Sequence, residues 1–162
     1  MDMKNHRWLA YVFWIPLVEG VGALSGWLTR EGVEVYTRDI IKPALSPPAW
    51  VFPIVWVALF ALLGIGVARV YLAPPSAARN RSLGLFWVQL AFNFAWSILF
   101  FNLQRFGFAL GWLVVLWGLI LWMTLSFHKT DTASAWLQVP YLLWVAFAAY
   151  LNFEVWMLNS LG

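Results

Sequence analysis

The chain alternates long apolar runs with short polar connections. Five runs approach the roughly 20 residues that a helix needs to cross the hydrocarbon core of a bilayer. They fall at about Trp8–Leu28, Ala49–Leu72, Leu83–Phe101, Phe106–Phe127 and Ala133–Leu158. This pattern predicts an all-α integral membrane protein, a single bundle of five transmembrane helices forming one domain over residues 1–162. The longest connection, Thr29–Pro48, mixes three acids with three bases and ends in Pro43, Pro47 and Pro48. It reads as an ordered but irregular loop outside the membrane, a candidate lid. The stretch Ala73-Pro74-Pro75-Ser76, followed by Arg79 and Arg81, reads as a polar turn. The remaining links are short, so neighbouring helices should run antiparallel.

Composition agrees. The chain is 63% hydrophobic and 10% charged, whereas soluble domains are about 45–50% apolar and about 25% charged. A soluble domain is excluded. There are no cysteines, which removes disulfides, thiolate catalysis and Cys-ligated metals. The net charge of +3 resides in short loops, so it reports topology and not nucleic-acid binding. Lys4, Arg7, Arg69, Arg79, Arg81 and Lys129 fall on one side, against Arg30, Arg38, Lys42 and Arg105 on the other. That bias favours a cytoplasmic N-terminus and an outward C-terminus. A removable signal peptide is not expected, because the first run carries Glu19 and has no small-residue cleavage site. No internal repeat is evident, which argues against a transporter built from inverted halves.

Polar groups inside a bilayer need a partner or a purpose. In the third run Gln89, Asn93, Trp96 and Phe100 share one helical face at i, i+4, i+7 and i+11. Phe52, Trp56 and Phe60 share a face in the second run, as do Tyr141, Trp144, Ala148 and Asn152 in the fifth. The first run offers Glu19, Gly22 and Gly26. Four helices thus have a face suited to one interior cavity with aromatic walls and few polar groups, the usual anatomy of a small-molecule pocket. Each face also has a plainer use. Gln89 and Asn93 serve equally as bonds between helices, and Gly22-xxx-Gly26 is first a packing motif. Of 13 tryptophans, Trp8, Trp50, Trp112 and Trp136 lie near run ends as interface anchors. Trp87, Trp117 and Trp122 suit lipid or a second subunit. Glu19, midway along an apolar run, must be protonated, paired or near water; ligand or proton contact is its default role, with a neutral carboxyl bonded to a backbone carbonyl as the near-equal alternative. His6 and His128 sit near run ends without ligand spacing, so no metal site is expected. No Ser-His-Asp set, phosphate loop or dinucleotide motif is present.

Certain pieces also resemble a known family. They are Gly22 with Gly26, Lys42-Pro43, Pro47-Pro48-x-Trp50-Val51-Phe52-Pro53-x-x-Trp56 and Gln89-Leu90-x-x-Asn93-x-x-Trp96. Phe100-Phe101, Pro140-Tyr141-Leu142-x-Trp144, Leu151-Asn152-Phe153 and Leu158-Asn159 continue the series in order. Together they resemble the TspO/MBR family, the bacterial tryptophan-rich sensory proteins and the translocator protein, also called the peripheral benzodiazepine receptor. The resemblance implies five transmembrane helices, often paired as a homodimer, with one ligand pocket capped by the first loop. It implies porphyrins and haem precursors as ligands, sterols in some members, and benzodiazepine-type drugs. On matched positions the pocket falls on Gly22, Phe52, Trp56, Phe60, Asn93, Trp96, Phe100, Trp144 and Ala148, with Glu19, Gln89 and Asn152 as further candidates. No cofactor is required, and porphyrin enters as ligand in a protein of the bacterial cell membrane.

Three departures bear on that expectation. Ala44 and Leu45 stand where many relatives carry aromatic lid residues, and Phe60 stands where Tyr is common. No basic residue follows Tyr150 in the nine positions after it, which disfavours the proposed cholesterol motif. The expected activity is that of a receptor or carrier for a planar hydrophobic ligand, with Trp56, Trp96 and Trp144 as stacking surfaces and Asn93 as an orienting group. The rival readings are a light-dependent porphyrin-degrading enzyme using Trp56 and Trp144, and a transporter of tetrapyrroles or sterols. With no acid–base or metal machinery in the sequence, catalytic residues are not otherwise assigned.

Overall fold

The computed structural model describes residues 6–160; Lys4, counted above, lies outside them. Six α-helices build the five spans: α1 (Arg7–Asp39), α2 (Val51–Tyr71), α3 (Ala77–Ser97), α4 (Phe106–Thr130), α5 (Thr132–Trp136) and α6 (Val139–Ser160). A π-helical turn, Ile98–Asn102, prolongs α3. The spans are α1, α2, α3 with its π turn, α4, and α5 with α6. Helix α4 packs closely on α3, α5 and α6, while α1 packs on α2 and on the π turn. The protein is an integral membrane bundle of five spans.

Helix α1 overruns its expected end by eleven residues, so the predicted 29–48 loop shrinks to residues 40–50. Charge after Leu28 ends an apolar run but does not end a helix, because nothing between Thr29 and Asp39 breaks one. Thr29 returns its hydroxyl to the Ser25 carbonyl at 2.8 Å. Beyond it Glu31, Glu34 and Arg38 are exposed while Gly32, Val35 and Tyr36 are half-buried. At Gly32 a Cβ would meet the Phe101 carbonyl at 2.5 Å, so glycine is what lets the π turn touch α1. The 33-residue helix is about 50 Å long and overreaches the roughly 30 Å hydrocarbon core.

The other boundaries follow from capping and proline chemistry. Helix α3 begins at Ala77, earlier than the apolar pattern suggests, because the Ser76 hydroxyl caps it by accepting from the Arg79 N–H at 3.1 Å. Pro53 lies at the third position of α2, where a helix has no use for the missing N–H. The expected fifth helix is divided at Leu137-Gln138, since Pro140 has no N–H to continue the ladder. There the Gln138 amide settles on Gly66 of α2 and donates to the Ser134 carbonyl at 3.2 Å. The Gly22-xxx-Gly26 motif does not bring backbones together, because a Cβ on Gly26 meets nothing within 4 Å. The close approach of α1 and α2 is instead at Gly64, where a Cβ would lie 2.8 Å from Ile15 Cα.

Candidate ligand-binding site

Gln89, Asn93, Trp96 and Phe100 are all buried, so the polar face read on the third span does turn inward. The π turn adds a residue to the helical cycle, and both Phe100 and Phe101 then contact Tyr36 of α1, with ring centroids 5.4 and 5.5 Å away. Phe100 also stacks on Trp96 at 5.3 Å.

From α6, the wholly buried Tyr141 joins this face. Its hydroxyl accepts from Asn93 Nδ2 at 2.8 Å and donates to Gln89 Oε1 at 2.8 Å. A chain of three buried groups therefore ties α3 to α6. Gln89 Nε2 has no hydrogen-bond partner among the described residues. One helical turn beyond Asn93, the Trp96 indole N–H donates to Asn152 Oδ1 at 3.2 Å, and Asn152 Nδ2 donates to the Phe106 carbonyl at 2.8 Å. Asn93 and Asn152 thus spend N–H groups on the protein itself, as bonds between helices.

Helix α2 reaches α6 through aromatic edges. Phe52 meets Trp144 at 5.8 Å, and Trp56 meets Tyr141 at 6.3 Å, both edge-on. Trp56 also meets Phe60 at 5.5 Å. Phe60 fills the space beside Gly22, whose Cβ would lie 2.6 Å from the ring. Phe52, Trp56, Trp144 and Ala148 are half-buried. The candidate residues thus form a largely aromatic layer joined through Tyr141. Two grooves of about 300 and 510 Å³ lie at the loop end of the bundle, and neither is lined by Trp56, Trp96 or Trp144.

Glu19 stands next to the buried stripe Ala10, Trp14, Val18 but not on it, and is half-buried. Among the described residues the ion pairs are Arg30–Glu31, Arg38–Asp39 and Arg69–Asp131, and Glu19 belongs to none. No group of three or more metal-ligating side chains occurs among the described residues.

The tryptophans divide by environment. Trp8, Trp50 and Trp136 are strongly exposed, as interface anchors would be, and Trp87 and Trp122 are also exposed. Trp112 departs from the expected anchor role: it stacks on Phe92 at 4.3 Å and donates to the Phe92 carbonyl at 2.9 Å. Trp117 likewise donates to the Leu142 carbonyl at 3.0 Å. Two residues escaped the sequence-based site list. Tyr141 was visible on its helical face but its partners lie on another helix. Trp14, buried against Phe86 at 5.5 Å, is signalled only by its i, i+4, i+8 stripe.

Similarity to known proteins agrees with this architecture. The sequence model of the TspO/MBR family matches residues 14–157. The tryptophan-rich protein TspO of Chlorobaculum tepidum is 36% identical over 157 residues, covering 96% of this chain and 99% of the relative. A tryptophan-rich sensory protein of Cereibacter sphaeroides is 32% identical, covering 96% and 94%. The translocator protein of Bos taurus is 33% identical, covering 91% and 92%. Matched by the family model over residues 14–157 and by relatives covering nearly its whole length, this five-span bundle belongs to the TspO/MBR family.

Proposed function

We propose that this protein is a membrane receptor or carrier for planar hydrophobic ligands, porphyrins and other tetrapyrroles foremost, acting in tetrapyrrole or stress regulation. The observation that carries the reading is the aromatic layer between α2 and α6. There Phe52, Trp56, Tyr141 and Trp144 meet through ring edges, so a flat molecule can part the helices by turning side chains without breaking backbone packing. Trp56 and Trp144 supply stacking faces, each worth about 0.5–1.5 kcal/mol beyond area burial. Micromolar affinity, about −8 kcal/mol, is within reach without a metal–ligand bond. Gln89 Nε2, buried and unspent, supplies a donor to a polar substituent. The same reading places the protein in a bacterial cell membrane, since relatives that match it nearly end to end come from bacteria. It also pairs two copies, for which the exposed Gly84, Val88 and Ala91 on one face of α3 allow close approach.

The test is an equilibrium titration of purified protein in lipid nanodiscs with protoporphyrin IX, followed by quenching of tryptophan fluorescence. Saturable quenching at one porphyrin per chain, weakened several-fold by Trp56→Ala, is the expected result. Non-saturable quenching equal to that of empty nanodiscs would sink the reading.

A further inference from the structure

We propose that Asn159 is a positioning residue, a latch that holds the loop 40–50 against the end of α6, next to the Phe52–Trp144 edge of the aromatic layer. Helix α1 ends with the Ile40 N–H on the Tyr36 carbonyl at 3.3 Å. The next residue, Ile41, has left the helix, and the Asn159 side chain takes up both of its backbone groups. Asn159 Oδ1 accepts from the Ile41 N–H at 3.1 Å, and Asn159 Nδ2 donates to the Ile41 carbonyl at 3.0 Å. A primary amide paired with the N–H and C=O of one extended residue, as a neighbouring strand would be, reads backbone geometry alone, so the contact survives any side chain at 41 that leaves the N–H in place. Its Nδ2 also donates to the Val155 carbonyl at 2.7 Å, which fixes the amide orientation on α6. The result joins two chain segments 118 residues apart.

The loop behind this contact is short and stiff. Pro43, Pro47 and Pro48 fix three of its φ angles. The Ser46 N–H closes a turn onto the Pro43 carbonyl at 3.1 Å, and the Val51 N–H closes another onto the Pro48 carbonyl at 3.0 Å. Pro43 is buried, and Phe52, one residue into α2, touches Trp144. A strap so constrained moves as a unit, and its only side-chain bond to α6 among the described residues is Asn159. Asn159 itself is half-buried and Ile41 exposed, so water can compete for both bonds and the latch is reversible. The retention of ligand by this latch rests on the proposed porphyrin reading; the latch itself does not.

The experiment is amide hydrogen exchange on the full chain in nanodiscs, comparing wild type with Asn159→Leu and Asn159→Ala. Exchange at Ile41, Ser46 and Val51 should rise together by about tenfold, with Leu116 and Ile120 of α4 unchanged. A rise at Ile41 alone would reduce the contact to a local bond, and a rise shared by α4 would make it a general fold contact; either overturns the latch. In a second arm protoporphyrin IX is the probe, and its dissociation from Asn159→Leu should quicken about tenfold while association changes little. Unchanged dissociation beside faster loop exchange would overturn ligand retention. Failure of wild type to bind porphyrin would count against the proposed function, leaving the exchange arm to decide the latch.

Discussion

The Phe60 ring lies in the notch left by Gly22: a Cβ on Gly22 would come 2.6 Å from both Cδ2 and Cε2 of the ring. Phe60 is buried, so it has little freedom to step aside, and overpacking of this kind costs about 1–3 kcal/mol. Gly22→Ala should therefore lower the thermal midpoint in detergent by several degrees. Phe60→Ala, which opens a cavity, should cost about 3–5 kcal/mol by itself. The double variant should be more stable than the sum of the two, because the added methyl enters space vacated by the ring. A double-mutant cycle measures the coupling. Strict additivity would show that the two side chains do not share this space.

Tyr141 gives the second prediction. Its hydroxyl is both acceptor for Asn93 and donor to Gln89, so Tyr141→Phe strands two buried amides at once. Interhelical hydrogen bonds in membranes average about 0.6 kcal/mol, whereas orphaned buried groups cost about 1–3 kcal/mol. The expected loss is about 1–2 kcal/mol, read by thermal or denaturant unfolding. Gln89→Leu together with Tyr141→Phe should recover part of it, because both partners of one bond are then apolar. A Tyr141→Phe protein as stable as wild type would mean that the chain is not formed.

How far these sites were visible in sequence depends on what each residue needs. The inward turn of Gln89, Asn93 and Trp96 was legible because polar side chains in a bilayer must face protein, and spacing alone reports a shared face. The hub role of Tyr141 was not, because its partners lie 48 and 52 residues away and periodicity carries no information between helices. The π turn was hidden for a related reason, since one extra residue in the cycle leaves no compositional mark. The overrun of α1 was misread because Glu31, Glu34 and Arg38 look like a loop by charge. They are the solvent side of a helix whose other side, Gly32 and Tyr36, rests on the π turn.

Asp131 makes stability depend on acid. It lies between α4 and α5, where Arg69 of α2 donates to it at 2.8 and 3.0 Å and the Ser134 N–H caps onto it at 2.9 Å. The hydrogen-bonded Arg69 guanidinium, aided by Ser134, outweighs desolvation and lowers its pKa from 3.8 to about 2. A depressed carboxylate pKa contributes stability that is complete above the unfolded value and is lost as pH falls through the folded one. Wild type should therefore lose about 1–2 kcal/mol between about pH 5 and pH 2. Asp131→Asn should be less stable at pH 7 and flat across that window. Parallel pH profiles for the two proteins would remove the ion pair from the account.

Topology can be read directly because the chain has no cysteine of its own. Five spans place the two ends of the bundle on opposite faces, with Ser76 at one face and Leu45 at the other, both exposed. The lysine and arginine bias predicts that the Ser76 face is cytoplasmic. In intact cells an impermeant maleimide should label Leu45→Cys and spare Ser76→Cys until the membrane is opened. The reverse pattern would invert the orientation.

The three candidate stacking tryptophans should not behave alike. Trp96 is buried and its indole N–H is bonded to Asn152 at 3.2 Å, and it also stacks on Phe100. It is built as a wall. Trp144 is half-buried, with Phe52 against its ring at 5.8 Å and Phe147 at 5.6 Å, and it can turn toward a ligand at small cost to the fold. Trp96→Ala should then fall chiefly on stability, by about 3–5 kcal/mol for a buried aromatic cut to alanine. Trp144→Ala should fall chiefly on porphyrin affinity, by about two- to tenfold from the lost stacking. Thermal midpoints and porphyrin titrations on the same preparations separate the two effects. If Trp144→Ala instead loses stability as Trp96→Ala does and keeps full affinity, the α2–α6 contact is core and the ligand must sit elsewhere in the bundle.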